Sequence, residues 1–390
     1  MAKSAKKSSQ KRSILLVALF VVAVAGICLI LQFKRANRKL IKVSSYEFCM
    51  NTVVTLNFYV TKSEAKALGD GEDCVYTKEL MAIFNDLDDN VLSWRSADSE
   101  VAGFNAWEST EPYEVSETLY LAVSQSQELA EATAGAGDIT LRALIEAWGI
   151  EAYAADHHDK TTSEFGPDTE TLENVAEIIG YKHLTCFEKD GKFFLQKDTP
   201  KLQLDLGAVG KGYALDAAFN YLKQQDKKKL PSAIVAVGGS VLVYGSRTAK
   251  IGVQDPLSEG ATQMGILTID TLGAGDVKYI STSGNYEQYV LVENEDGSVT
   301  RYHHILDGET LAPAESGLKS VTVIADNGLT SDMLSTACFV LGMEESLDVL
   351  EEYGCDAIFI DENNQVYCTA GVMDDFEITS EEYGEAKLVK

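Results

Sequence analysis

Hydrophobic and polar positions divide this chain into three regimes. Ile14 to Phe33 is an unbroken uncharged run of twenty residues, which as a helix would span about 30 Å, the thickness of a bilayer's hydrocarbon core. Helical spacing follows at Glu79–Leu92, Val115–Ala132, Leu141–Trp148 and Thr169–Ile179, where apolar residues recur every three or four positions. Alternating, strand-like patterns appear at Val53–Val60, His183–Phe187, Phe193–Gln196, Gln203–Leu206, Ala233–Val237, Val241–Gly245, Lys250–Val253, Gly265–Thr271, Tyr279–Ser281, Glu287–Glu293 and Ser320–Ala325. A helix is expected at Ala214–Gln224, two more at Ser331–Leu341 and Glu344–Glu352, and a closing hairpin over Ala357–Tyr367. Leu68–Cys74 and Glu151–Pro167 read as loops. Helices early, antiparallel-looking strands late and no regular strand–helix alternation argue for an α+β fold, helices packed on largely antiparallel sheets.

Charge sharpens this division. Residues 1–42 carry ten Lys or Arg and no carboxylate, leaving 23 basic against 60 acidic residues in the body. Such a body repels nucleic acid, and a nucleic-acid partner is excluded. The expected organisation is a basic tail over 1–13, a transmembrane anchor over 14–33, a juxtamembrane linker over 34–47 and one globular domain over 48–390. No small-x-small cleavage site follows the apolar run, so the anchor reads as uncleaved and single-pass. Five basic residues flank it on each side, so charge does not set the orientation. The body is expected outside the cytoplasm, at the cell membrane. Seven cysteines include no CxxC pair, which removes zinc-ribbon and thioredoxin readings. Cys355 and Cys368, flanking the closing hairpin, are the expected bridged pair; Cys338 and Cys186 read as free thiols.

The densest chemistry lies in Leu204-Asp205-Leu206-Gly207-Ala208-Val209-Gly210-Lys211-Gly212. A strand pattern runs into a glycine-rich turn with one lysine, and a helix begins. Glycine lets backbone N–H groups approach an anion, and a lysine at the positive end of a helix points to an anion between them. Lys211 is followed by glycine, so this is no Walker A loop, and a G-x-G-x-x-G fingerprint is absent. Asp332 and Thr336, four apart in a helical stretch, present a carboxylate and a hydroxyl on one face. That pair suits a hard cation with phosphate in its open positions, although a helix dipole favours an early acid with no metal present. Gly238-Gly239-Ser240 and Thr282-Ser283-Gly284-Asn285-Tyr286 are small-residue corners after apolar strands. His303 and His304 precede a turn, and either imidazole could act as a base.

Taken in order, these segments resemble the FAD:protein FMN transferase (ApbE) family. The carrying residues are Met50-Asn51-Thr52, Ser93-Trp94 through Glu100 to Asn105, Asp138-Ile139-Thr140 with Trp148-Gly149, Asp205-Leu206-Gly207 to Lys211-Gly212, Val237-Gly238-Gly239, Asp255-Pro256, Thr282 to Tyr286, His304-Ile305 and Ser331-Asp332 to Thr336. The resemblance covers roughly residues 48–372. It implies an ApbE-like flavin transferase fold and a Mg²⁺-dependent enzyme. FAD would be the substrate, FMN would pass to a Thr or Ser hydroxyl of a target flavoprotein in membrane electron-transfer complexes, and AMP would leave. It further implies Gly210, Asp332 and Thr336 around Mg²⁺, Lys211 on the pyrophosphate, and His304 beside the incoming hydroxyl with His303 as second choice. Met50, Ser93, Trp94, Glu100, Asn105, Asp138, Thr140, Lys211, Gly239, Ser283 and Tyr286 are the implied FAD contacts. FAD hydrolysis and passive flavin binding are the competing readings. Three departures stand out: Asn51 for glycine, Ser240 for Asp or Asn, and Asp307-Gly308-Glu309-Thr310-Leu311 for a D-P-x-T-G turn.

Overall fold

The computed structural model describes residues 40–69, 71–157, 160–258, 262–271 and 277–389. The expected anchor over 14–33 lies outside the described residues. Among those described, no helix is long and apolar enough to cross a membrane.

A nine-stranded sheet organises the body. Its order is Ile41–Cys49, Thr52–Val60, Ser232–Val237, Ser240–Gly245, Val277–Gly284, Leu318–Ala325, Asp356–Asp361, Val366–Cys368 and Lys387–Leu388. Every pairing is antiparallel except that of the last two strands. The central strands are buried on both faces because each face meets a different layer. Val235, Leu242, Tyr279, Val321, Val323 and Phe359 pack into the helical core. Their alternates Val243, Ile280, Ile324, Ile358 and Ile360 join Ala249, Val253 and Leu267 of a smaller sheet. Period-two alternation thus serves two cores. The helices on the first face include Val75–Asp86, Glu117–Ala132, Gly210–Leu222 and Gly328–Leu341. The last is buried along most of its length, so its apolar positions show no single stripe.

The α+β expectation holds, with local corrections. Residues 41–47, expected as linker, form most of the edge strand, paired with Thr52–Val60 throughout. Gln203–Leu206 is extended but belongs to no sheet. The Leu204 amide and carbonyl go to the Asn105 side chain at 2.7 and 2.9 Å, and the Asp205 amide goes to the Ile139 carbonyl at 2.8 Å. Ladder partners are therefore replaced by a side-chain clamp. Within the expected loop 151–167, Ile150–His157 is helical because Ile150 and Ala154 bury one side. Cys355 and Cys368 are both free thiols. The hairpin register pairs Ile358 with Cys368, which leaves Cys355 out of step with it. Cys338 and Cys186 are free, as expected.

Candidate active site

Two helix beginnings cross at the centre of the molecule. Gly212, in the first turn of Gly210–Leu222, touches Gly328, which opens Gly328–Leu341. A Cβ on Gly212 would lie 2.1 Å from the Gly328 carbonyl oxygen, and one on Gly328 would lie 2.2 Å from that of Gly212. Only glycine permits this approach, since any Cβ would overlap backbone. Asp216 reinforces it by accepting the Gly328 and Leu329 amides at 2.8 and 2.9 Å. These are orphan donors of a helix start, so a carboxylate there is well placed. Burial nonetheless pushes the Asp216 carboxyl upward, with the two amides and Tyr279 opposing and Asp332 adding to the rise.

The crossing brings Asp332 to Lys211. The buried Asp332 carboxylate accepts the Gly212 amide at 2.9 Å on Oδ2 and the Ser240 hydroxyl at 2.9 Å on Oδ1. Lys211 Nζ stands 3.7 Å from Oδ1 and donates to the Gly207 carbonyl at 3.1 Å. The two stretches singled out from the sequence, over a hundred positions apart, thus share one site. Thr336 and Ser283 join it, their hydroxyls 3.0 Å apart, with Ser335 2.8 Å from Ser283. Each Asp332 oxygen keeps lone-pair capacity beyond its single protein donor. The Asp332 carboxylate and the Thr336 hydroxyl one turn along, with the Gly210 carbonyl at the head of the neighbouring helix, are oxygen donors of the kind Mg²⁺ takes. Among the described residues no three His, Cys, Asp or Glu converge, so such an ion would complete its shell with phosphate and water.

A cavity of about 540 Å³ opens from Gly210 and Lys211 past Met50, Asn51, Asp88, Ser93, Trp94 and Arg95. Its rim is the turn between the first two strands, where Met50 and Asn51 hold φ of 53° and 55°. Asparagine tolerates this left-handed turn, so the departure from glycine keeps the geometry. Asp88, from the π-helical stretch Leu87–Leu92, accepts the Met50 amide at 3.0 Å. The guanidinium groups of Arg95 and Arg142 lie 4.3 and 3.6 Å from the Trp94 ring centroid. Among the described residues the buried Trp94 Nε1–H has no hydrogen-bond partner, while other atoms of the residue line the cavity.

His304 and His303 separate cleanly. Adjacent residues at a strand end point to opposite sides. His303 is buried against Phe339, its Nε2 3.0 Å from the Ala314 carbonyl, and it is structural. His304 Nδ1 lies 3.2 Å from the Gln288 carbonyl. A carbonyl accepts only, so Nδ1 carries the proton and Nε2 is a free base. Burial drives the His304 pKa down to about 4, with Lys211 adding to the fall and the Gln288 bond opposing it. The imidazole is therefore neutral at physiological pH.

Besides Ser283, four expected FAD contacts have their polar atoms hydrogen-bonded within the protein. Glu100 accepts the Ser116 amide at 2.7 Å, and Asn105 clamps Leu204. Asp138 holds Thr140 and the Tyr181 amide, each bond 2.7 Å, while Thr140 Oγ1 accepts the Gly180 amide at 2.8 Å. These four fix nearby loops; neither they nor Gly239, Ser283, Tyr286, His304, Asp332 and Thr336 are among the residues that line the cavity, whereas Met50, Ser93, Trp94, Gly210 and Lys211 are. Gly239 accepts the Thr282 amide at 3.2 Å through its carbonyl, placing that corner beside Ser283. Tyr286 packs over Gly284, where a Cβ would meet its ring at 2.2 Å. Ser240 and Asp216 enter the site without being assigned from the sequence. Asp216 is one turn beyond Gly212 on the same helix face, which is the signal that could have found it.

The profile of the ApbE family matches residues 50–359. A Klebsiella pneumoniae protein named FAD:protein FMN transferase is 34% identical over 274 residues, covering 69% of this chain and 72% of its own length. The Escherichia coli K12 protein of the same name is 30% identical over 325 residues, covering 80% and 86%. Among solved structures, the flavin transferase ApbE of Vibrio cholerae superposes with a TM-score of 0.67 at 26% identity, covering 85% of this chain and 98% of that one. The ApbE protein of Thermotoga maritima gives the same TM-score and identity, over 84% and 96%. The match spans the rim at Met50, the crossing at Gly212 and the helix of Asp332, and the chain belongs to the ApbE family.

Proposed function

We propose that this chain transfers FMN from FAD to a Thr or Ser hydroxyl of a protein acceptor, releasing AMP, with Mg²⁺ as the metal. The 3.7 Å separation of Lys211 Nζ, on the cavity wall, from the buried Asp332 Oδ1 carries this reading. Passive flavin binding has no use for an ammonium and a metal-type carboxylate at one point. Attack on a pyrophosphate does, because charge grows on its oxygens.

Asp332, Thr336 and the Gly210 carbonyl would hold Mg²⁺, which when bound supplies charge neutralisation on the phosphate oxygens. Lys211 lies across from that carboxylate and binds the same anion. The positive ends of two helices add to the field. His304 Nε2 takes the proton as the acceptor oxygen bonds to the phosphorus of FMN. The bond from that phosphorus to the AMP oxygen breaks, and AMP leaves with the electron pair. Neutral His304 is already in the accepting form at pH 7. The apolar run 14–33 supports a single-pass membrane anchor; with the body on the extracytoplasmic side, acceptors in membrane electron-transfer complexes fit that placement.

The test incubates the purified chain with FAD, Mg²⁺ and a Thr-containing flavoprotein acceptor, assaying AMP and covalent flavin fluorescence on the acceptor. Stoichiometric AMP and labelled acceptor are expected. AMP with free FMN alone would make the chain a hydrolase, and no AMP would make it a binder.

A further inference from the structure

The outer face of the first hairpin differs from the rest of this acidic body. Register places Lys42, Ser44, Tyr46 and Phe48 opposite Tyr59, Asn57, Thr55 and Val53. Directly opposed residues of an antiparallel pair share a face, so these eight line one side, and none is a carboxylate. Phe48, Tyr46 and Val53 are 69%, 68% and 55% exposed. They cluster at the turn end of the hairpin. Large apolar side chains scattered singly need no explanation, but a contiguous group marks an interaction surface.

This patch is continuous with the site. Phe48 lines the cavity together with Met50, Asn51 and Lys211. Ile41–Cys49 is also the terminal strand of the nine-stranded sheet, the position at which an added strand would pair. Position separates the possible occupants. Phe48 on the wall of the cavity that holds Lys211 puts the patch at the mouth of the site, where a partner must lie to deliver a hydroxyl to it.

We propose that Tyr46, Phe48 and Val53, on the outer face of the first hairpin, form the docking surface for the protein acceptor, which lies along this edge as an extended segment with apolar side chains flanking its hydroxyl residue. The inference rests on the transferase reading above. It assigns acceptor recognition to residues outside the pyrophosphate site, so that affinity for the acceptor and the chemistry on FAD are separable.

The test uses the full chain carrying Tyr46→Ser and Val53→Ser, neither of which lines the cavity. The probe is a purified flavoprotein domain that the unsubstituted chain labels with FMN. The acceptor KM is expected to rise at least about tenfold, since loss of central apolar anchors dominates such interfaces. FAD affinity and kcat at saturating acceptor should stay within about twofold, as both depend on groups elsewhere. An unchanged acceptor KM would overturn the proposal. So would quenching of a Tyr46→Trp variant by brominated lipid in proteoliposomes, which would give the patch to the membrane. A dimer that the double variant splits, with KM unmoved, would give it to a second copy. If the unsubstituted chain releases no AMP from FAD, the transferase reading itself fails, a result distinct from all of these.

Discussion

Replacing Gly212 by alanine puts the crossing of the two helices under direct test. The added Cβ would sit 2.1 Å from the Gly328 oxygen, 2.6 Å from its carbonyl carbon and 2.7 Å from Asp332 Cβ. A carbon–oxygen contact needs about 3.3 Å, so the helices must part by about 1 Å. Overpacking of this kind costs about 1–3 kcal/mol of stability. The functional loss should be larger. The Gly212 amide would leave Asp332 Oδ2, now at 2.9 Å, and Lys211 would withdraw from its 3.7 Å approach. A displacement of about 1 Å in a positioned group costs about a hundredfold in rate. Gly210→Ala is the matched control from the same turn, because its Cβ would meet only Met50 Cε at 3.5 Å, an ordinary contact. Steady-state AMP release with FAD, Mg²⁺ and acceptor should show Gly212→Ala down by about two orders of magnitude and Gly210→Ala near the unsubstituted rate. Calorimetry on both variants establishes that they are folded. Equal activity of the two alanine variants would refute the argument that chemistry depends on the closeness of these helices.

Asp332→Ala should abolish turnover while FAD affinity, measured by flavin fluorescence, falls less sharply, because the cavity walls at Met50 and Trp94 remain; undiminished turnover would remove Asp332 from the metal. The same change strands the Gly212 amide and the Ser240 hydroxyl, and should lower stability by about 1–3 kcal/mol. His303 and His304 both have pKa values pushed down to about 4 by burial. The unfolded chain protonates these two groups first as pH falls below about 6.5, so their contribution to stability is constant above that pH and declines toward pH 4. Denaturant midpoints across pH 4–7 in His303→Gln and His304→Gln variants check this, each flattening the slope. Leu311 holds a left-handed φ of 59°, costing about 1–2 kcal/mol that glycine would not incur. Leu311→Gly should therefore be more stable than Leu311→Ala, a reversal of the usual order, readable from their melting temperatures.

Much of this architecture was legible because its causes are local. The two-period patterns of Val277–Gly284 and Leu318–Ala325 and the helical spacing of Glu117–Ala132 follow from burial of each element's own residues. The edge strand Ile41–Cys49 escaped notice since its outer face is mixed and half-exposed, so alternation is weak over Lys42 to Tyr46. Gln203–Leu206 read as a strand because its leucines alternate; only the distant Asn105 side chain and Ile139 carbonyl, which take its backbone groups, reveal otherwise. Asp332, Lys211 and Thr336 were visible as chemistry out of place: a cation at a positive helix end, a carboxylate and hydroxyl one turn apart. Glu100, Asn105, Asp138 and Thr140 illustrate the opposite case, polar residues whose hydrogen bonds are spent on loop backbone, which no spacing announces. The Asp307–Leu311 turn shows how a departure is accommodated. Asp307 accepts the Glu309 amide at 2.8 Å and the Thr310 hydroxyl at 3.0 Å. The Leu311 carbonyl accepts the Trp148 Nε1–H at 2.9 Å. These bonds hold the turn without the proline and the closing glycine of the D-P-x-T-G pattern, and the left-handed residue is Leu311.

The convergence of a metal and a lysine on one diphosphate is tested most directly by soaking crystals with FAD and Mn²⁺ and collecting anomalous diffraction. The account predicts a single strong peak within bonding distance of Asp332 and Thr336, with Lys211 Nζ hydrogen-bonded to the same pyrophosphate that the ion contacts. A diphosphate bound away from Lys211, or manganese held at residues other than Asp332, would contradict it.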